Sequence, residues 1–337
     1  MKFLNRLIQT SLFIASMVFL YVQLFRNQDI SRLLRILDVT SYHPGIRWYL
    51  LTVMLLMPLN WILEAVKWRF LISSIENTSL FRAIRAVLTG ITISMFTPNR
   101  TGEYFGRVFL LRKANPVDGI LITIVGSMAQ LLITVAAGSV ALPFFLRTCS
   151  PSFVIQHHFL FLAMISLILF INFISFGLFF NISLIRPARQ RFRRGMPARV
   201  RHYFRVFSFY HRRELILILL LSAARYLIFS TQFFLLLKVF GLPLSYITGL
   251  MLIALIYLVM TLVPTIALTE LGIRSSAAIY FISLWLEKTN PGADQVNTGV
   301  FAASLLLWVI NLAIPALTGS AFIFHLRFFR KTTSSPV

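Results

Sequence analysis

Acidic residues and cysteine are what this chain has least of. Ten Asp and Glu stand against 32 Lys and Arg, and Cys149 is the single cysteine. One cysteine excludes an intrachain disulfide and argues against a thiolate metal cluster. Charge of either sign is sparse: 12% of the chain is charged, 58% is hydrophobic, and the mean hydropathy is +0.82. A water-soluble domain of 337 residues has too little interior to hide that much apolar side chain. The signatures of several enzyme classes are missing too. The six histidines (His43, His157, His158, His202, His211 and His325) form no H-E-x-x-H pair, and no Walker A lysine motif occurs. No metal or cofactor is expected, and the chain is not expected to be an enzyme.

What is present is a series of apolar runs long enough to cross a bilayer, near 4–25, 46–71, 118–146, 159–185, 214–239 and 299–325. Two more apolar regions, 80–113 and 246–286, are interrupted by Pro98 and Pro264. The expected fold is all-α: a single polytopic membrane domain over 1–337 with about six full transmembrane helices. Lys2 and Arg6 precede the first run and no small-x-small cleavage site follows it, so an uncleaved span is expected. The net charge of +22 sits at the flanks of apolar runs. It is read as a topology determinant and a contact for anionic lipid, with no nucleic-acid partner.

Residues 186–213 hold ten Arg and no acidic residue, which places them in the cytoplasm under the positive-inside rule. If both interrupted regions turn back, 22 basic residues fall inside and seven outside, with both termini cytoplasmic. Each half, 1–146 and 159–325, then reads span, span, interrupted hairpin, span. Three crossings per half is odd, so the second repeat is inverted, with two re-entrant hairpins. Eight ordinary spans with two proline kinks are the alternative. The basic segment 186–213 reads either as a surface-lying amphipathic stretch on anionic headgroups or as a solvated loop.

The two interruptions share a pattern. Pro98-Asn99-Arg100-Thr101-Gly102-Glu103 is followed by Arg107, and Pro264 is followed by Glu270 and Arg274. Glu103 and Arg107, like Glu270 and Arg274, are spaced i,i+4 and share a helix face. Each pair either makes a hairpin tolerable in lipid or orients an Arg fork toward a phosphate. Arg225 lies about eleven residues into its span, roughly 17 Å, near the bilayer centre. Gln232 follows on a similar face, and Gln130 holds a similar depth in the first half. Glu64, with Lys67, Trp68 and Arg69, reads as an interface anchor. Candidate substrate-binding residues are therefore Arg100, Glu103, Arg107, Arg225, Glu270, Arg274, Gln130 and Gln232. Pro98, Gly102 and Pro264 are the structural breaks. The excess of Arg over Glu at membrane depth favours an anion.

From Gly90 to Leu111 the pattern Gly-x₇-Pro-x-Arg-x-Gly-Glu-x₃-Arg-x₂-Leu-Leu resembles the membrane region of lysylphosphatidylglycerol synthases, a flippase-like family. Trp68-Arg69, Pro264 and Glu270 extend the likeness. The resemblance implies an inverted-repeat membrane domain that moves a phospholipid between leaflets. The chain differs in having Ile266, Ala267 and Leu268 where the family places glycines, and Ser127 to Gln130 where it often has a charged pair. No segment resembles the family's aminoacyl-transferase domain, so lysyl transfer is not expected. The expected function is a flippase-like transporter of the inner (cytoplasmic) membrane for an anionic phospholipid or polyprenyl-phosphate-linked lipid. A scaffold for a lipid-modifying enzyme and an integral-membrane glycosyltransferase are the alternatives. The latter would want carboxylates at the outer mouth, where only Asp29 and Asp38 stand. Candidate partners are membrane lipids, a lipid-modifying enzyme and a second copy of the chain.

The topology has a direct test. In a Cys149→Ser background, single cysteines placed in 73–80 and in 114–117 should both react from the cytoplasmic side. Labelling on opposite sides would make the first interruption an ordinary span.

Overall fold

The computed structural model describes residues 44–181, 210–264, 267–289 and 296–325, together with Thr10. All regular structure among these residues is helical. Five helices have the length and apolar character to cross a membrane. They are α1 (Pro44–Ile72), α4 (Pro116–Cys149), α6 (His158–Phe180), α7 (Arg212–Val239) and the continuous stretch Val296–Ser320. This last helix is α10 (Val296–Trp308), a π-turn over Val309–Ala313, and α11 (Ile314–Ser320). At 1.5 Å per residue, the 28 residues of Gly45–Ile72 extend about 42 Å, enough for a bilayer core with tilt. Each described apolar run thus becomes a span. The run 4–25, nearly all of the 186–213 segment and the basic C-terminal tail lie outside the described residues.

Both interruptions are helix–break–helix units. In the first, α2 (Leu80–Ser94) starts on Ser79, whose hydroxyl accepts the Arg82 N–H. Pro98 cannot donate into a continuing helix, and a 3₁₀ turn over Pro98–Arg100 leads into α3 (Gly102–Val108). This short helix folds back along α2, with Gly102 against the Ile93 carbonyl and Gly106 against Gly90. A Cβ on Gly102 would stand 2.6 Å from the Ile93 oxygen, and one on Gly106 2.6 Å from the Gly90 Cα. Only glycine permits that approach. Glu76 closes the unit: its carboxylate accepts the backbone N–H groups of Arg112, Lys113 and Ala114 at 2.7–3.0 Å. The loops before α2 and after α3 therefore meet at one end of the bundle. In the second unit, α8 (Tyr246–Leu262) ends at Val263, and α9 (Ala267–Thr289) follows Pro264 and packs on α8.

The packing of the two units onto the spans follows one scheme. Helix α1 lies along α7, α2 packs on α11, and α8 packs on α4. On α4, Gly138 faces the Ala254 carbonyl and Leu258 of α8; on α11, Gly319 faces the Leu88 carbonyl and Thr92 of α2. Leu88 and Ala254 are 166 residues apart, as are Thr92 and Leu258, and as are Pro98 and Pro264. One apolar cluster gathers Trp68, Ile91, Ile122, Leu215 and Leu312, and a second gathers Phe233, Leu252, Ile253, Ile282 and Leu307. Trp68 donates to Thr123 at 3.1 Å, fixing α1 on α4. At the end of α1, Tyr210 donates to the Leu71 carbonyl at 2.7 Å. Burial pushes the Tyr210 phenol pKa up, so it stays a donor well above neutral pH. Helix α5 (Pro151–Gln156) leads into α6, which stands at the periphery with Phe159, Phe170 and Phe173 exposed.

The backbone contact between α2 and α3 predicts the effect of a single methyl group. Gly106→Ala should destabilise the purified protein by about 1–3 kcal/mol through overpacking. Gly177→Ala, where a Cβ meets nothing within 4 Å, should be neutral or slightly stabilising. Thermal unfolding in detergent reads both. Equal melting of the two variants would mean that α3 is not clamped on α2.

Candidate functional site

On α1, Asn60, Glu64 and Lys67 recur at i, i+4 and i+7, and all three are buried. A carboxylate in an apolar span requires cationic partners, and Glu64 has three. Lys67 Nζ stands 2.7 Å from Oε2, Arg107 Nη1 2.7 Å from Oε1, and Arg225 Nη1 3.0 Å from Oε2. Arg107 Nη2 also reaches Glu103 Oε2 at 2.8 Å, forming the i,i+4 pair that the spacing predicts. Arg225 lies with its guanidinium 5.2 Å from the centre of the Trp61 ring, and its Nε donates to Asn60 Oδ1 at 3.1 Å. The Asn60 amide in turn donates to Asn311 at 3.4 Å. Asn311 stands in the π-turn, a deviation that presents side chains out of the regular helical order.

A second carboxylate, Glu270, sits in the first turn of α9 and is 4% exposed. It pairs with Arg274, again i,i+4. Across 170 residues of sequence it also accepts a two-pronged contact from Arg100, with Nε at 3.2 Å and Nη2 at 3.0 Å. Arg100 has φ 55° and Asn99 φ 51°, two consecutive non-glycine residues in the left-handed region. Such a turn is unfavourable on its own and persists where its surroundings fix it. The Arg100 fork on Glu270 supplies that fixing and links the two chain breaks.

Between the two carboxylate hubs lies a cavity of about 560 Å³. Arg100, Arg225, Glu270, Arg274 and Gln130 are on its wall, along with Asn60, Trp61 and Asn311. Met128, Leu131 and Val263 also line it and are exposed. The wall thus combines apolar side chains with cationic ones. Five cations (Lys67, Arg100, Arg107, Arg225 and Arg274) meet three carboxylates (Glu64, Glu103 and Glu270), an excess of two positive charges. Among the described residues no three His, Cys, Asp or Glu side chains gather to hold a metal ion.

The residues singled out from sequence fall into two sets. Arg100, Gln130, Arg225, Glu270, Arg274 and Pro264 converge on the cavity. Glu103 and Arg107 lie behind it, joined to Glu64. Gly102 and Pro98 shape the turn that presents Arg100. Gln232 is elsewhere: its amide donates to the Val53 carbonyl at 3.0 Å and ties α7 to α1. Glu64 differs most from expectation. Read as an interface anchor, it is instead 4% exposed and central to the ion-pair network. The signal was in the sequence, because Asn60, Glu64 and Lys67 form a polar stripe at helical spacing inside an apolar span.

Removing one partner from a buried ion-pair network leaves the others uncompensated, at about 3–5 kcal/mol. Glu64→Gln should therefore lower thermal stability in detergent sharply. Glu214→Gln, at a half-exposed carboxylate, should change it by less than about 1 kcal/mol. Equal effects would remove Glu64 from its place as a hub.

The comparisons with known proteins agree with this architecture. The family described as "Lysylphosphatidylglycerol synthase TM region" matches residues 8–290. No curated protein and no solved structure matches the chain. A match over most of the sequence, on a bundle of membrane-length helices with paired chain breaks, identifies the relationship: the chain belongs to the lysylphosphatidylglycerol synthase TM region family.

Proposed function

We propose that this protein is a non-enzymatic transporter that moves an anionic lipid between the leaflets of the cytoplasmic membrane. The observation that carries the reading is the cavity between the two chain breaks. It has Arg100, Arg225 and Arg274 on its wall and exposed Met128, Leu131 and Val263 at its side. A phosphate headgroup fits the cationic interior, while acyl or prenyl tails remain against the apolar flank and the bilayer. The family's connection with lipid handling points the same way.

The transport geometry proposed is an inverted repeat with two re-entrant hairpins and both termini cytoplasmic. Three observations support it. Glu76 joins the loops on either side of the first hairpin. Gly138 and Gly319 make equivalent contacts, with partners displaced by the same 166 residues as the two prolines. Helix α1 packs on α7, its counterpart in the other half. Broken helices that meet near a midplane site are a recurring transporter arrangement. The basic segment 186–213 is proposed to rest on anionic headgroups at the inner surface.

Mechanistically, the Glu270 carboxylate sits on Arg100 and Arg274, the groups that would receive the headgroup phosphate. A phosphate can replace the carboxylate on the same forks, since both accept bidentate contacts from guanidinium. That exchange releases the link between the two breaks and lets one repeat move against the other. Arg225 is held by Glu64 and Asn60 through Nη1 and Nε, which leaves Nη2 for the headgroup. The glycosyltransferase alternative has less support. The carboxylate at the cavity wall, Glu270, is engaged by two Arg and is poorly placed to act as a base.

In proteoliposomes, acyl-labelled phosphatidylglycerol or phosphatidylinositol should become accessible to a membrane-impermeant quencher faster than in protein-free vesicles. Arg225→Ala should lower the protein-dependent rate by roughly 10–100-fold, the loss of one charge-assisted contact. The variant should still insert and purify. Normal movement by Arg225→Ala would make Arg225 a structural anchor, and no movement by the wild type would overturn the transporter reading.

A further inference from the structure

The cavity holds more than a phosphate needs. Its volume, about 560 Å³, lies well inside the range of small-molecule sites. Beyond the arginines, its wall carries the aromatic side chains Trp61, Tyr257 and Trp308. The Tyr257 hydroxyl, the Trp61 and Trp308 indole N–H groups and the Gln130 amide oxygen are buried without a hydrogen-bond partner in the protein. Tyr257 and Trp308 are 6% and 1% exposed. Buried polar atoms normally have partners, and these four, with the Tyr226 hydroxyl and Arg274 Nε, belong to residues lining a single cavity and point to a ligand that supplies them. The missing partners are of both kinds: acceptors for the two indoles and a donor for the Gln130 oxygen, with the Tyr257 hydroxyl able to take either.

We infer that the cavity takes a lipid whose phosphate carries a sugar or cyclitol ring. The inference rests on the transporter reading and deepens it by naming the headgroup class. Ring hydroxyls donate and accept at once, matching the mixed set of unpaired atoms. An aminoacyl headgroup fits poorly. Its ammonium would enter a site that already has two excess positive charges, from Arg100, Arg225 and Arg274 against Glu270. A choline headgroup fails on charge for the same reason, and the Trp61 face is already covered by Arg225. A bare phosphate would leave Tyr257, Trp308 and Gln130 unmatched.

The test is equilibrium binding of defined lipids to the full-length protein, read by native mass spectrometry after delipidation and independent of transport. The probes are a short-chain polyprenyl-phosphate hexose, phosphatidylinositol, phosphatidic acid, a monohexosyl diacylglycerol and lysylphosphatidylglycerol. One or both ring-bearing phosphates should bind at least about tenfold more tightly than phosphatidic acid, and which one does so separates a prenyl from a glycerolipid source. Gln130→Leu and Trp308→Phe should reduce that preference to about twofold or less, with thermal unfolding in detergent showing that the variants are folded; a preference unchanged in both folded variants would overturn the ring inference. Equal binding of phosphatidic acid, or preferred binding of lysylphosphatidylglycerol, would overturn the ring inference and leave an anionic-lipid or lipid transporter in place. Equal binding of the phosphate-free glycolipid would instead remove the phosphate requirement, and with it the transporter reading proposed above.

Discussion

Glu270 meets Arg100 across 170 residues of chain, and that ion pair ties the two helix breaks together. A break in a membrane helix frees backbone groups that lipid cannot satisfy, and a charge at the break adds a desolvation penalty. The two problems are solved together here. Arg100 is neutralised by the carboxylate that opens α9, and the same contact holds Asn99 and Arg100 in their left-handed turn. Each break therefore stabilises the other. Glu64 performs the corresponding task behind the cavity, where Lys67, Arg107 and Arg225 converge from α1, α3 and α7.

This arrangement constrains how an anion can use the site. Arg does not deprotonate at physiological pH, so Arg100 and Arg274 cannot be left bare in a poorly solvated cavity. On the transporter reading, an incoming phosphate that replaces Glu270 would keep Arg100 and Arg274 satisfied. On that reading, the displaced carboxylate must then find a new partner, which would couple substrate entry to a change of shape. A site built from neutral polar groups alone would impose no such exchange.

Much of the fold was legible because membrane spans depend on length and apolarity, which survive any packing detail. The segments 46–71, 118–146 and 214–239 each became a helix with ends close to the expected ones. The breaks were legible because Pro98 and Pro264 interrupt apolar runs, and the i,i+4 spacing foretold the Glu103–Arg107 and Glu270–Arg274 pairs. What sequence spacing could not give was pairing between elements. Nothing local says that Glu270 would be claimed by Arg100 as well as Arg274, or that Arg107 would turn toward Glu64. Glu64 was misplaced because Lys67, Trp68 and Arg69 beside it look like a membrane interface, and only the packing of α1 on α7 buries it. Asn311 carried almost no signal, since a lone Asn in an apolar helix is ordinary until a π-turn brings it to a cavity. The run 4–25, which the division into 1–146 and 159–325 counts in the first half, lies outside the described residues.

The two breaks are not equally built, and the difference bears on which one yields. The returning arm of the first, α3, is seven residues long and is clamped by backbone contacts at Gly102 and Gly106, by the Thr97 hydroxyl on the Gly102 N–H, and by Glu76 beyond its end. Arg107 on that arm is fixed by two carboxylates at once. At the second break, Val263 and Pro264 are exposed and a Cβ added at Gly272 would meet open space. Local opening is easiest where buried contacts are few. On the transporter reading, then, the first unit is the rigid half of the site and holds Arg100 in place. A phosphate that took the Glu270 position on Arg100 would therefore meet an arginine already fixed by its own turn.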